Sequence, residues 1–66
     1  MNNFDYRGVQ NNQMAFQEKT TGTWHFLQTT PAGEVQMLDG DDVRFEAFGD
    51  RRETTWSIRE QRPVGN

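Results

Sequence analysis

Apolar and polar residues alternate along this chain in short runs, and turn residues cut the runs at intervals of about 8 to 12 residues. Phe4, Tyr6 and Gly8 fall on one side of the first run, with Asp5, Arg7 and Val9 on the other, until Gln10, Asn11 and Asn12 break the pattern. Met14 and Phe16 begin a second run that ends by Gly22. The third covers Thr23 to Thr29, where Trp24 and Phe26 oppose His25 and Leu27, before Thr30-Pro31-Ala32-Gly33 supplies a turn with proline at a favoured position. The fourth, Glu34 to Leu38, directs Val35 and Met37 inward. Asp39-Gly40-Asp41-Asp42 then turns the chain into a fifth run, Val43 to Phe48, with Val43, Phe45 and Ala47 on the buried side and Arg44 and Glu46 outside. After Gly49-Asp50-Arg51-Arg52, a sixth runs from about Glu53 to Arg59, with Thr54, Trp56 and Ile58 on one face and Thr55, Ser57 and Arg59 on the other. No window holds apolar residues at helical spacing for more than one turn.

This pattern predicts an all-β fold, a single small antiparallel meander of five to six strands. An open sheet would leave its apolar face in water, so the strands are expected to curl into an OB-like or SH3-like barrel, or to pack against a copy of themselves. Residues 1–62 are expected to form the domain and residues 63–66 a flexible C-terminal tail. Val43, Phe45, Trp56 and Ile58 are the first choice for its core.

Composition sharpens the picture at two points. With 66 residues the chain lies near the lower limit for a self-sufficient hydrophobic core. Leu, Ile, Val and Phe make up only twelve positions, a proportion at which disorder competes, yet the net charge is only −3 and bulky aromatics carry the alternation, so the chain is read as folded. There is no cysteine, which excludes disulfides, thiolate metal sites and cysteine nucleophiles. No segment approaches the ~20 apolar residues of a membrane span and the first residues lack a signal-peptide pattern, so no membrane contact is expected and a cytoplasmic location is the default.

Charge is uneven. Residues 1–33 are balanced, whereas Glu34 to Glu46 holds five carboxylates against Arg44, and Asp50 to Arg62 holds four arginines against three carboxylates. The acidic loop of Asp39, Asp41 and Asp42 invites a calcium reading, but the residues are out of order for the familiar calcium loop; a polar hairpin turn, with Asp39-Gly40 supplying positive φ, accounts for them without metal. No metal and no cofactor is expected. One histidine, His25, and one serine, Ser57, are too few and too poorly placed for a catalytic constellation, and the chain is read as non-enzymatic.

Aromatic rings beside basic groups are the signature of surfaces that stack nucleobases and pair with phosphates. Trp24, His25 and Phe26 stand together with Lys19 upstream, Trp56 has Arg59 three positions on, and Phe48 is followed by Arg51 and Arg52. Neighbours on a strand face opposite ways, so both ring-bearing faces of the Trp24 to Phe26 stretch cannot be inside, and at least one of Trp24, Phe26 and Phe48 should be exposed. These eight residues, Trp24, His25, Phe26, Phe48, Lys19, Arg51, Arg52 and Arg59, are the candidate binding set.

The stretch "MAFQEKTTGTWHFLQTTPAG", followed by "LDGDDVRFEAFGDRRETTWSI", resembles a cold-shock domain, an OB-type barrel that binds single-stranded RNA and DNA on an aromatic, basic face. Leu38, Gly40, Val43 and Phe45 correspond in kind to that family's later strand, with Gly40 one residue early. Gly22, Trp24, Phe26 and Leu27 correspond to its first aromatic motif only with Thr23 inserted and His25 in place of glycine. Its second aromatic motif has no counterpart here. The resemblance implies a nucleic-acid-binding barrel; the acidic balance argues against one, since affinity for phosphate polymers is mostly cationic in origin. The preferred expectation is therefore a protein-interaction module, binding another protein or itself as a homo-oligomer. It would be an accessory or inhibitory protein of the kind phages and mobile elements encode, with the acidic loop steering encounter; single-stranded nucleic acid is the alternative.

Overall fold

The computed structural model describes residues 1–64. They form seven strands and no helix: β1 (Phe4–Gln10), β2 (Gln13–Glu18), β3 (Trp24–Leu27), β4 (Gln36–Met37), β5 (Asp42–Glu46), β6 (Glu53–Ser57) and β7 (Arg62–Pro63). All pairings are antiparallel between consecutive strands, giving one sheet in the order β1-β2-β3 and a second in the order β4-β5-β6-β7.

Local chemistry explains the turns. Asn11 and Asn12 both have positive φ (53° and 63°), the backbone of a two-residue type I′ hairpin, and asparagine tolerates that region better than most residues. In β1 the register shifts between Tyr6 and Val9, where Gly8 adopts φ 85° in a bulge that ends the simple alternation of this strand. Gly40, at φ 73°, supplies the left-handed residue expected of the Asp39-Gly40 turn.

Two isolated bridges tie the sheets together. Asn2 bridges Gly40 in parallel at the start of β1, and Pro31 bridges Ala47 where the chain leaves β3. The second is extended by Ala32 N–H to Glu46 O (2.7 Å) and Phe48 N–H to Thr30 O (2.8 Å). Among the described residues no continuous ladder closes the two sheets into a barrel. The core between them is Phe4, Met14, Phe16, Leu27, Val43, Phe45 and Ile58, all essentially inaccessible, with Tyr6, Val35, Ala47 and Trp56 packed against its margin.

The expected single meander of five to six strands is instead seven strands divided between two sheets, and the strands common to both differ chiefly at their ends. The third and fourth shrink, and Met37 lies exposed instead of inward because β4 is an edge strand only two residues long. Ile58, expected on the sixth strand, sits in the turn after β6 yet is fully buried. At the boundary drawn after residue 62, Pro63 pairs opposite Trp56 in β7, and Val64 N–H donates to Thr55 O at 2.9 Å. A proline can sit there because β7 is an edge strand, so its missing N–H interrupts no ladder. Gly65 and Asn66 lie outside the described residues.

Asn2 holds the first bridge together. Its side-chain amide donates to Leu38 O and to Asp42 O (2.7 Å), while its Oδ1 accepts the Phe4 N–H (2.7 Å). Asn2→Ala leaves Leu38 O and the Phe4 N–H without these partners in a half-buried setting, while Asp42 O keeps the Leu38 N–H at 3.0 Å, and should cost about 1–3 kcal/mol in urea denaturation. Asn2→Asp should lose a comparable amount, since a carboxylate cannot donate to the two carbonyls.

Candidate aromatic interface

The alternation on β2 and β3 decides which rings face out. In β3 the pairs run Met14 to Leu27, Ala15 to Phe26, Phe16 to His25 and Gln17 to Trp24, and directly paired residues share a face. Met14, Phe16 and Leu27 are in the core, so His25 points inward with them and Trp24 and Phe26 stand on the outer face. There the two rings stack at 6.3 Å and 16° between planes, and Trp24 is 44 % exposed. Asp5 and Gln17 share this outer face, and Arg7 Nε donates to Gln17 Oε1 at 3.3 Å.

His25 therefore belongs to the interior. Its ring meets Phe4 edge-on at 5.1 Å, and its Nε2, 3.8 Å from Glu18 Oε1, is buried without a hydrogen-bond partner. Ser57, the other residue a catalytic reading would need, is buried and its Oγ accepts the Glu60 N–H at 3.0 Å, capping the turn after β6.

The basic members of the candidate set divide. Arg59 is held inside a clamp: its guanidinium donates to Glu18 Oε2 (2.8 Å) and Asp41 Oδ2 (2.9 Å), and lies 5.3 Å over the Phe4 ring. The Glu18 side chain is only 14 % exposed. Through Arg59 the end of β2, the Asp39–Asp42 loop and the turn after β6 are joined. Arg59 holds the carboxyls of Glu18 and Asp41 below their ordinary values, with the Asn3 amide assisting at Asp41, and the two carboxylates in turn raise the pKa of the guanidinium. Lys19 and Arg7 both approach Asp5, at 3.9 and 3.8 Å. Arg51 and Arg52 are exposed in the β5–β6 hairpin beside Phe48, which is 79 % exposed.

The acidic loop is also more engaged than a solvated turn. Asp39 meets the Met1 ammonium at 2.7 Å, Asp41 accepts from both Arg59 and Asn3, and Asp42 pairs with Ser57 in the sheet. Sequence reasoning missed this, since the partners are 15 to 38 residues away. Trp56 stacks on Phe45 at 5.4 Å and is half-buried, so it caps the core as expected of it while its far side borders an open groove of about 840 Å³ on the second sheet. Arg44 and Glu53 face each other in that groove at 3.7 Å, and Asp50, Arg52, Thr54 and Thr55 line it as well.

No family model, curated protein or solved structure matches the chain. The likeness to cold-shock domains thus rests on the quoted residues alone.

Proposed function

We propose that the chain is a small non-enzymatic protein-interaction module, an accessory protein that docks through the outer face of β3. In this reading its two sheets, tied by the Asn2–Gly40 and Pro31–Ala47 bridges, act as a partly open barrel of OB-like or SH3-like kind. The observation that carries the proposal is the stacked Trp24–Phe26 pair on a solvent-facing sheet surface. A small domain short of aliphatic residues gains from keeping such rings inside, and a solvent-facing stack in which Trp24 is exposed over a half-buried Phe26 is the type of anchor that interfaces bury. The cations argue against phosphate as the ligand: Arg7, Lys19, Arg44, Arg59 and Arg62, five of the seven, already stand in ion pairs.

The test pairs two titrations. Immobilised wild-type protein should retain a partner protein that the Trp24→Ser/Phe26→Ser double variant releases, with the variant's far-UV circular dichroism unchanged because both rings lie outside the core. In parallel, Trp fluorescence is followed while single-stranded oligothymidine is added. Micromolar quenching that weakens steeply with salt would overturn the protein-docking reading in favour of nucleic acid.

A further inference from the structure

Strand β3 is an edge, and its backbone geometry shows what it leaves unpaired. The Glu18 N–H donates to Thr23 O, which makes Glu18–Thr23 a hydrogen-bonded pair; antiparallel pairs alternate, so Phe16–His25 is bonded while Gln17–Trp24 and Ala15–Phe26 are not. The N–H and C=O groups of Trp24 and Phe26 therefore point away from β2, and β3 pairs with no other strand.

Exposed edges invite pairing, and proteins guard them with charge, proline, bulges or shortness. The other edges here carry such guards: β1 has Asp5, Arg7 and the Gly8 bulge, β4 is two residues long, and β7 contains Arg62 and Pro63. Strand β3, four residues long, carries no charge, proline or bulge. From Thr20 to Thr30 the sequence TTGTWHFLQTT holds no Asp, Glu, Lys, Arg or Pro, and its middle residues are strong strand formers.

We infer that β3 pairs antiparallel with β3 of a second copy of this chain, about a two-fold axis at His25. This inference rests on the docking reading above and names its partner. In that register Trp24 of each copy lies opposite Phe26 of the other, which are the residues whose backbone groups are free. Each such pair exchanges two N–H to O=C bonds, so the axis generates four bonds between chains. Two stacked pairs of rings then join into one strip of four on the outer face.

Charge selects this occupant. Because the run from Thr20 to Thr30 holds no Asp, Glu, Lys or Arg, the antiparallel register lays no carboxylate on a carboxylate and no lysine or arginine on another, although the chain as a whole is acidic and two copies repel at a distance. The contact is short, well below the ~1,200 Å² of stable complexes, so the dimer should be concentration-dependent with a micromolar Kd.

Sedimentation velocity of the full chain over a wide concentration range tests this. Wild type should pass from monomer to dimer, Phe26→Lys should raise Kd more than about tenfold by placing a cation on the axis-proximal strand, and Val9→Lys, at an exposed position on the opposite edge strand, should leave it unchanged. Amide hydrogen exchange gives a readout that survives a poorly folded variant: the Trp24 and Phe26 amides of wild type should exchange more slowly at high concentration than at low, while the core amide of Phe16 does not change. A wild type that stays monomeric throughout, or a dimer indifferent to Phe26→Lys, overturns the inference. If a monomer still captures a partner protein that Trp24→Ser/Phe26→Ser releases, the docking reading stands and only the self-pairing fails; if capture fails too, both fall.

Discussion

Phe45→Ala should remove about 3–5 kcal/mol of the fold's stability at 25 °C. Phe45 is completely buried in β5, stacks on Trp56 across the strand pair and belongs to the cluster that joins the two sheets. Truncating a buried phenylalanine costs about 3–5 kcal/mol through lost transfer energy and the cavity left behind. A domain of this size has in total only about 3–10 kcal/mol to lose. With no disulfide to restrain the unfolded chain, nothing offsets the deficit. Phe45→Leu keeps most of the volume and should lose less than half as much as the alanine variant, whereas Phe48→Ala, three positions on and exposed, should lie within about 0.5 kcal/mol of wild type. Urea denaturation followed by Trp emission reads all three. A folded Phe45→Ala with wild-type stability would mean that the two sheets hold together through their bridges and not through the core.

The contrast between Phe45 and Phe48 was readable from alternation, as were the all-β character, most strand positions and the inward Val43. Local chemistry fixes these features: a residue's side of a strand follows from parity, and a turn from Asn, Gly, Pro or Asp. Three things escaped for one reason, that they depend on which distant segments meet. Asn2 has the composition of a frayed terminus, yet its side chain satisfies backbone groups 36 and 40 residues away. Arg59 has the spacing of a free cation next to Trp56, and instead closes a clamp with Glu18, 41 residues earlier. His25 and Trp24 were equivalent until the partner strand was known, because parity alone says that they differ in face and not which is inside. On that last point the functional reading turns. Had the inner face been Trp24 and Phe26, no aromatic stack would remain on the outer face of β3.

The Arg59 clamp should also set the acid limit of the fold. Glu18 and Asp41 have ordinary carboxyl values of 4.5 and 3.8, and both are lowered in the folded chain, first by hydrogen bonds from Arg59 and against some desolvation. A carboxyl whose folded pKa is depressed contributes stability that is fully present above its unfolded value and is lost as the pH falls toward the folded one. The melting temperature of wild type should therefore hold steady from neutrality down to about pH 5, then decline as the pH drops through 4.5 and 3.8, where the unfolded chain takes up protons that the folded chain resists. Arg59→Gln removes the cation and leaves Glu18 covered without its partner, so it should lower the melting temperature at pH 7 and flatten the acid decline, the two curves converging at low pH. Arg62→Gln is the control: its guanidinium lies 2.7 Å from Glu60, but the side chains are 66 % and 57 % exposed, and water screens the pair. That variant should track wild type at every pH. Parallel curves for Arg59→Gln and wild type, displaced by a constant amount, would show that Arg59 acts through packing on Phe4 and not through the carboxylates it joins.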